Sequence, residues 1–132
     1  SPAFMAQWFT DGVTPDALAR APMMIFNAKD SLQSRWVEQV TGTRLAPPTH
    51  LLPSTHAFVD AALAGLGWGM NPLSLVQDHL DAGRLSVLVP DRPLDVPLYW
   101  QVSRLMAPAL VPLTNAIHTA ARRRLRQPIT KP

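Results

Sequence analysis

The chain has no cysteine among its 132 residues. That excludes a disulfide scaffold, a cysteine nucleophile and a zinc site built on thiolates. Charge is sparse, at 16% of residues, and glutamate occurs only once, at Glu38. The apolar runs are short and interrupted by Pro or Gly, so no stretch reads as a transmembrane helix. A thiol-free chain of this kind fits a cytoplasmic location. Catalytic signals are scarce too. There is no GxSxG elbow. The string Gly65-Leu66-Gly67-Trp68-Gly69-Met70 misses the dinucleotide fingerprint, because Met70 stands where its third glycine belongs. His50, His56, His79 and His118 lack metal-ligand spacing with acidic partners. No carboxylate pair is set for general acid–base work. These absences argue against an enzyme and call for no metal and no cofactor.

What is present suits one globular piece. Hydrophobic residues make up 47%, too many for a disordered chain. The 14 prolines are scattered and punctuate elements without forming a tract. The net charge of +3 is unevenly placed. Arg122, Arg123, Arg124, Arg126 and Lys131 hold five positive charges near the end, and residues 1–121 carry −2. The basic balance is therefore a tail effect. Such a cluster suits a helix C-terminus, where cations complement the dipole, better than a nucleic-acid-binding face. The chain opens at SPAFMAQWF without Met and without a signal-like segment, and reads as the interior of a longer protein.

The pattern alternates helix and strand. Pro2 to Phe9 predicts a short helix. Thr14 as cap, Pro15 at the first position and Asp16 in the first turn predict a second, ending by Ala21-Pro22. Met23 to Phe26 is an apolar run suited to a buried strand. Asp30 opens a third helix, with Gln33 three residues on as in a capping box; Leu32, Trp36, Val37 and Val40 form its apolar stripe and Gly42 its stop. His50 to Leu52 predicts a strand. Ser54 or Thr55 caps the next helix, which turns Phe58, Val59, Ala62 and Leu63 inward and stops at Gly65. Gly67 to Met70 predicts a strand, Pro72 to Gly83 a helix and Leu85 to Val89 another strand. Leu98 to Ser103 predicts a strand after a Pro-rich crossing. A last helix opens at Pro108 with Leu110, Leu113, Ile117 and Ala121 inward, and Pro112 is expected to be tolerated there because first-turn amides have no intrahelical partner. Strands separated by helices imply an α/β layer fold with a mainly parallel sheet.

In such folds ligands bind beyond the carboxyl ends of strands, at helix N-termini. Three junctions qualify: Phe26 to Gln33, Pro53 to Phe58, and Gly67 to Pro72. Asn27, Asp30 and Gln33 cluster at the first, and Ser54 and Thr55 at the second. These side chains serve equally as caps alone. As ligand contacts, Ser54 and Thr55 suit a carboxylate, and Asp30 with Asn27 suits an ammonium or guanidinium. Trp68 and Met70 read as core residues first and ligand wall second. Trp100 and Tyr99 sit in the crossing segment, where they line a cleft or simply pack.

At this point the residues resemble a known family. AFVDAALAGLGWGMNP (57–72), AGRL (82–85) and DVPLYWQ (95–101) are similar to the effector domain of LysR-type transcriptional regulators, in the ArgP/LysG branch of lysine and arginine export regulators. SPAF (1–4), FNAKDSLQ (26–33) and PTHLLPST (48–55) fit the same pattern, and the similarity runs from Ser1 to about Arg124. The resemblance implies a periplasmic-binding-protein-like (type II) fold. Residues 1–96 would form its second α/β subdomain. Residues 97–132 would supply the return crossing strand, the C-terminal helix of the first subdomain and a basic tail. It further implies an effector cleft contacted by Asn27, Asp30, Gln33, Ser54, Thr55, Trp68 and Trp100. The DNA-binding helix-turn-helix, the linker helix and most of the first subdomain would lie upstream of Ser1, and without that subdomain's sheet Leu110, Leu113 and Ile117 would need a partner surface.

The function implied is effector sensing by a homo-oligomeric, cytoplasmic regulator. A basic amino acid, L-lysine or L-arginine, would shift its conformational population on DNA and so control amino-acid export or metabolism. A fragment of a solute-binding protein for amino-acid transport is the alternative, and an α/β deaminase or transferase a third.

Overall fold

The computed structural model describes residues 1–127. The chain divides into two compact units, Ser1–Leu94 and Asp95–Pro132. The first holds helices α1 (Pro2–Trp8), α2 (Pro15–Arg20), α3 (Leu32–Thr41), α4 (Thr55–Leu63) and α5 (Leu73–Asp81), with strands β1 (Met23–Ile25) and β2 (Thr49–Leu51). The second holds α6 (Val111–Arg124).

The first unit is organised around β1. Successive side chains of a strand face opposite ways, and its two methionines use this. Met23 joins Phe4, Phe9, Leu18, Trp36, Val37 and Trp68 in one buried cluster. Met24 joins Phe58, Val59, Ala62, Val76 and Leu85 in the other. Helices α1, α2 and α3 therefore cover one face of the strand, and α4 and α5 the other. β1 pairs with β2 in parallel, Met23 opposite Thr49 and Ile25 opposite Leu51. On its other side it meets the chain at Trp68, through a single parallel bridge. The Met24 amide donates to the Trp68 carbonyl at 2.8 Å, and the Trp68 amide to the Pro22 carbonyl at 3.1 Å.

The capping chemistry read from the sequence is largely in place. Thr14 Oγ1 accepts from the Ala17 amide at the start of α2. Ser54 Oγ does the same for Ala57 at the start of α4. Gly42 ends α3 in the left-handed conformation, at φ 70°. Gly67 and Gly69 answer to crowding instead. A Cβ on Gly67 would lie 2.8 Å from the Met24 side chain, and one on Gly69 would lie 2.6 Å from the Phe58 ring.

Several expectations are corrected. Helix α3 starts at Leu32 with Ser31 as its cap, so Asp30 and Gln33 make no capping box. Asp30 instead closes the preceding loop, accepting from the Leu32 amide at 3.1 Å and from the Phe26 amide at 2.9 Å. Gly67 to Met70 contributes one bridge instead of a strand. Leu85 to Val89 and Leu98 to Ser103 are not strands either. A strand exists only where a neighbour accepts its ladder, and among the described residues neither segment has one. Helix α6 begins at Val111, three residues after the expected Pro108. Pro112 is the reason: in a helix begun at Pro108 it would be the fifth residue, where an amide must donate to the first carbonyl, and proline has none. Starting at Val111 puts Pro112 in the free first turn. No residue of α6 is buried, so Leu113 and its neighbours face no core within the described residues.

Candidate functional site

The three strand-to-helix junctions of the first unit meet at one cleft of about 440 Å³. The β1–α3 loop supplies Phe26, Asn27, Lys29, Asp30 and Leu32. Helix α4 supplies Thr55 and Phe58, and the segment leading into α5 supplies Met70, Asn71 and Pro72. The convergence follows from the topology. β1, β2 and the bridge segment run parallel, so their C-terminal ends lie along one edge, and each feeds a helix there. Thr55 is the first residue of α4, at a helix end with unsatisfied amides.

The β1–α3 loop is held by its own side chains. The Asn27 Oδ1 accepts from the Lys29 amide at 2.8 Å, and the Asn27 carbonyl accepts from the Asp30 amide at 3.0 Å. With the two amides that donate to the Asp30 carboxylate, these bonds give the loop a fixed shape before any ligand arrives. The cleft wall is otherwise mostly apolar, through Phe26, Leu32, Phe58, Met70 and Pro72.

Of the residues singled out from the sequence, Asn27, Asp30 and Thr55 come together in this cleft. The other four lie elsewhere. Ser54 caps α4. Gln33 is buried, at 1% exposure, with neither amide atom hydrogen-bonded. Trp68 is 4% exposed and packs on Trp36, with ring centroids 5.6 Å apart. Trp100 belongs to the second unit, where its Nε1 donates to Thr114 Oγ1 at 3.1 Å. Met70, read from the sequence as core first and ligand wall second, lines the cleft; Lys29, Asn71 and the rest of the apolar wall were not picked out as site residues in the sequence. Position offered a signal for two of them: Lys29 lies between Asn27 and Asp30, and Asn71 directly precedes the proline of the third junction.

A smaller concavity of about 190 Å³ lies between α4 and α5, bordered by Thr55, His56, Asp60 and His79. Among the described residues no group of three or more His, Cys, Asp or Glu is placed to hold a metal ion. Among them, too, no helix is long and apolar enough to cross a membrane.

Comparison with known proteins gives this cleft a context. The family model described as LysR substrate binding domain matches residues 1–122. The transcriptional regulator ArgP of Pseudomonas fluorescens is 43% identical over 100 residues, which are 76% of this chain and 33% of that protein. Among solved structures, the C-terminal domains of a LysR family protein from Agrobacterium tumefaciens superpose with a TM-score of 0.92 at 56% identity, covering 98% of this chain and 62% of that one. Full-length LysG from Corynebacterium glutamicum, with bound effector Arg, superposes with a TM-score of 0.81 at 32% identity, covering 96% of this chain and 43% of that one. The chain spans less than half the length of the curated relatives it matches. The chain belongs to the LysR substrate-binding domain family, and within it resembles the ArgP and LysG regulators.

Proposed function

We propose that this chain is the effector-sensing part of a LysR-type DNA-binding transcriptional regulator that responds to a basic amino acid and controls amino-acid export or metabolism. The observation that carries this reading is the cleft itself. Three helix starts converge on a preorganised polar loop and an apolar wall, in a chain whose structural relative LysG was solved with arginine bound. The named relatives are regulators, which favours this reading over a transport receptor and over an enzyme.

The finer architecture belongs to the same proposal. Residues 1–96 are the second subdomain of a type II periplasmic-binding-protein-like effector domain. Residues 97–132 hold the return crossing and the final helix of the first subdomain; of the basic tail, Lys131 lies outside the described residues. Three features support this: the unit boundary between Leu94 and Asp95, the unpaired Leu98 to Ser103 segment, and an α6 with no buried side chain. The rest of the first subdomain and a helix-turn-helix then lie elsewhere in the full protein, which would act on DNA as a homo-oligomer in the cytoplasm. Effector contacts fall to Asn27, Asp30 and Thr55. Gln33, Ser54 and Trp68 support the elements that carry them, and Trp100 contributes from the crossing.

Mechanistically, effector binding favours one cleft geometry and so biases the oligomer on its promoter, a coupling of about 1–3 kcal/mol. Calorimetry on the complete regulator tests this. L-arginine or L-lysine should bind and change promoter occupancy, and norleucine, which lacks the basic group, should do neither. A regulator that binds norleucine equally well would overturn the basic-amino-acid reading.

A further inference from the structure

The hydrogen bonds of the β1–α3 loop divide its polar side chains into two kinds. Asp30 uses one carboxylate oxygen on the Phe26 amide and the other on the Leu32 amide. Asn27 uses its oxygen on the Lys29 amide. Both acceptor groups of the loop are thus engaged in holding its shape. Lys29 is different. Its backbone is fixed by Asn27, yet among the described residues its ammonium pairs with no carboxylate. It borders the cleft as a cation with three donors and no acceptor.

We propose that Lys29 reads the carboxylate of the effector and thereby lets this site distinguish an amino acid from the corresponding amine or amide. The inference rests on the basic-amino-acid reading above and adds an orientation to it. Such an effector carries two cations and one anion. Lys29 attracts the anion, while the Asp30 carboxylate beside it is held by two backbone amides, so the effector carboxylate lies at the Lys29 ammonium and the basic side chain extends away from that ammonium. The same ammonium acts against polyamines and decarboxylated analogues, which offer the lysine only positive charge.

The experiment compares L-arginine with L-argininamide, in which a neutral carboxamide replaces the carboxylate, by calorimetry on the complete regulator. Wild-type protein should prefer arginine by about ten-fold or more, the range of one charge-assisted hydrogen bond. In Lys29→Met and Lys29→Gln the preference should shrink toward unity, mainly through loss of arginine affinity with a smaller gain for the amide, and Lys29→Arg should retain it. Lys29 is exposed and its side chain makes no hydrogen bond within the described residues, so thermal melts should show all three variants folded. A preference that survives in both neutral variants, or a wild type that binds the two ligands equally, overturns the assignment of Lys29 and leaves the effector reading standing. A wild type that binds neither ligand nor L-lysine overturns the effector reading, and this proposal with it.

Discussion

The two units use similar amino acids to opposite ends. In Ser1–Leu94 the large apolar side chains find each other: Trp36 and Trp68 pack as a tilted pair, and the methionines of β1 each anchor a cluster. In Asp95–Pro132, Leu98, Tyr99 and Leu105 are 70%, 79% and 90% exposed. The charge differs as well. The first unit has eight acidic and six basic residues, the second one acidic and six basic. The contrast teaches that amphipathic pattern and burial are separate facts. A helix satisfies its own backbone, so its geometry needs no neighbour, although packing of its apolar face supplies most of its stability. A strand cannot satisfy its own, because its hydrogen bonds belong to a neighbour. Helix α6 therefore exists without a core, and the equally well patterned Leu98 to Ser103 is not a strand.

Three substitutions sharpen that contrast, each read by urea unfolding. Trp36→Ala should have the largest effect. Its ring is buried against Trp68 and its Nε1 donates to the Arg92 carbonyl at 2.7 Å, so the loss should be about 3–5 kcal/mol. Gly69→Ala should follow at about 1–3 kcal/mol, because the new methyl meets the buried Phe58 ring. Leu113→Ala should come last, within about 0.5 kcal/mol in this chain, since the side chain is half exposed on an uncovered helix. In the complete regulator the same change should cost about 2 kcal/mol or more, as for a core leucine, if the first subdomain covers α6. Equal small costs in both settings would remove the case for that cover.

Much of the first unit was legible because its signals are local. Thr14-Pro15-Asp16, Ser54 and Gly42 act within one helical turn, and each sits where the spacing put it. The three junctions were legible because parallel strands force their helix starts to one edge. Within the junctions, legibility stopped at the individual side chain. Asp30 and Gln33 have the spacing of a capping box, yet a one-residue shift of the helix start sends Asp30 into the loop and Gln33 into the interior. Trp68 carries an apolar ring that serves a core or a cleft equally well by composition; its partner Trp36, 32 residues away, decides between them. Pro112 was legible in principle, since counting back four residues from it excludes a helix start at Pro108.

By itself the sequence determined which segments of this protein are helical, which strand is buried on both faces, and which three loops share an edge. Those depend on contacts within a few residues and on the fixed hand of parallel crossovers. Tertiary structure alone decided which tryptophan packs inward, which apolar segments remain unpaired, and that the loop acceptors are engaged while Lys29 is not. Each of those outcomes depends on what stands opposite a side chain, and the residues that stand opposite come from distant parts of the chain or from outside it.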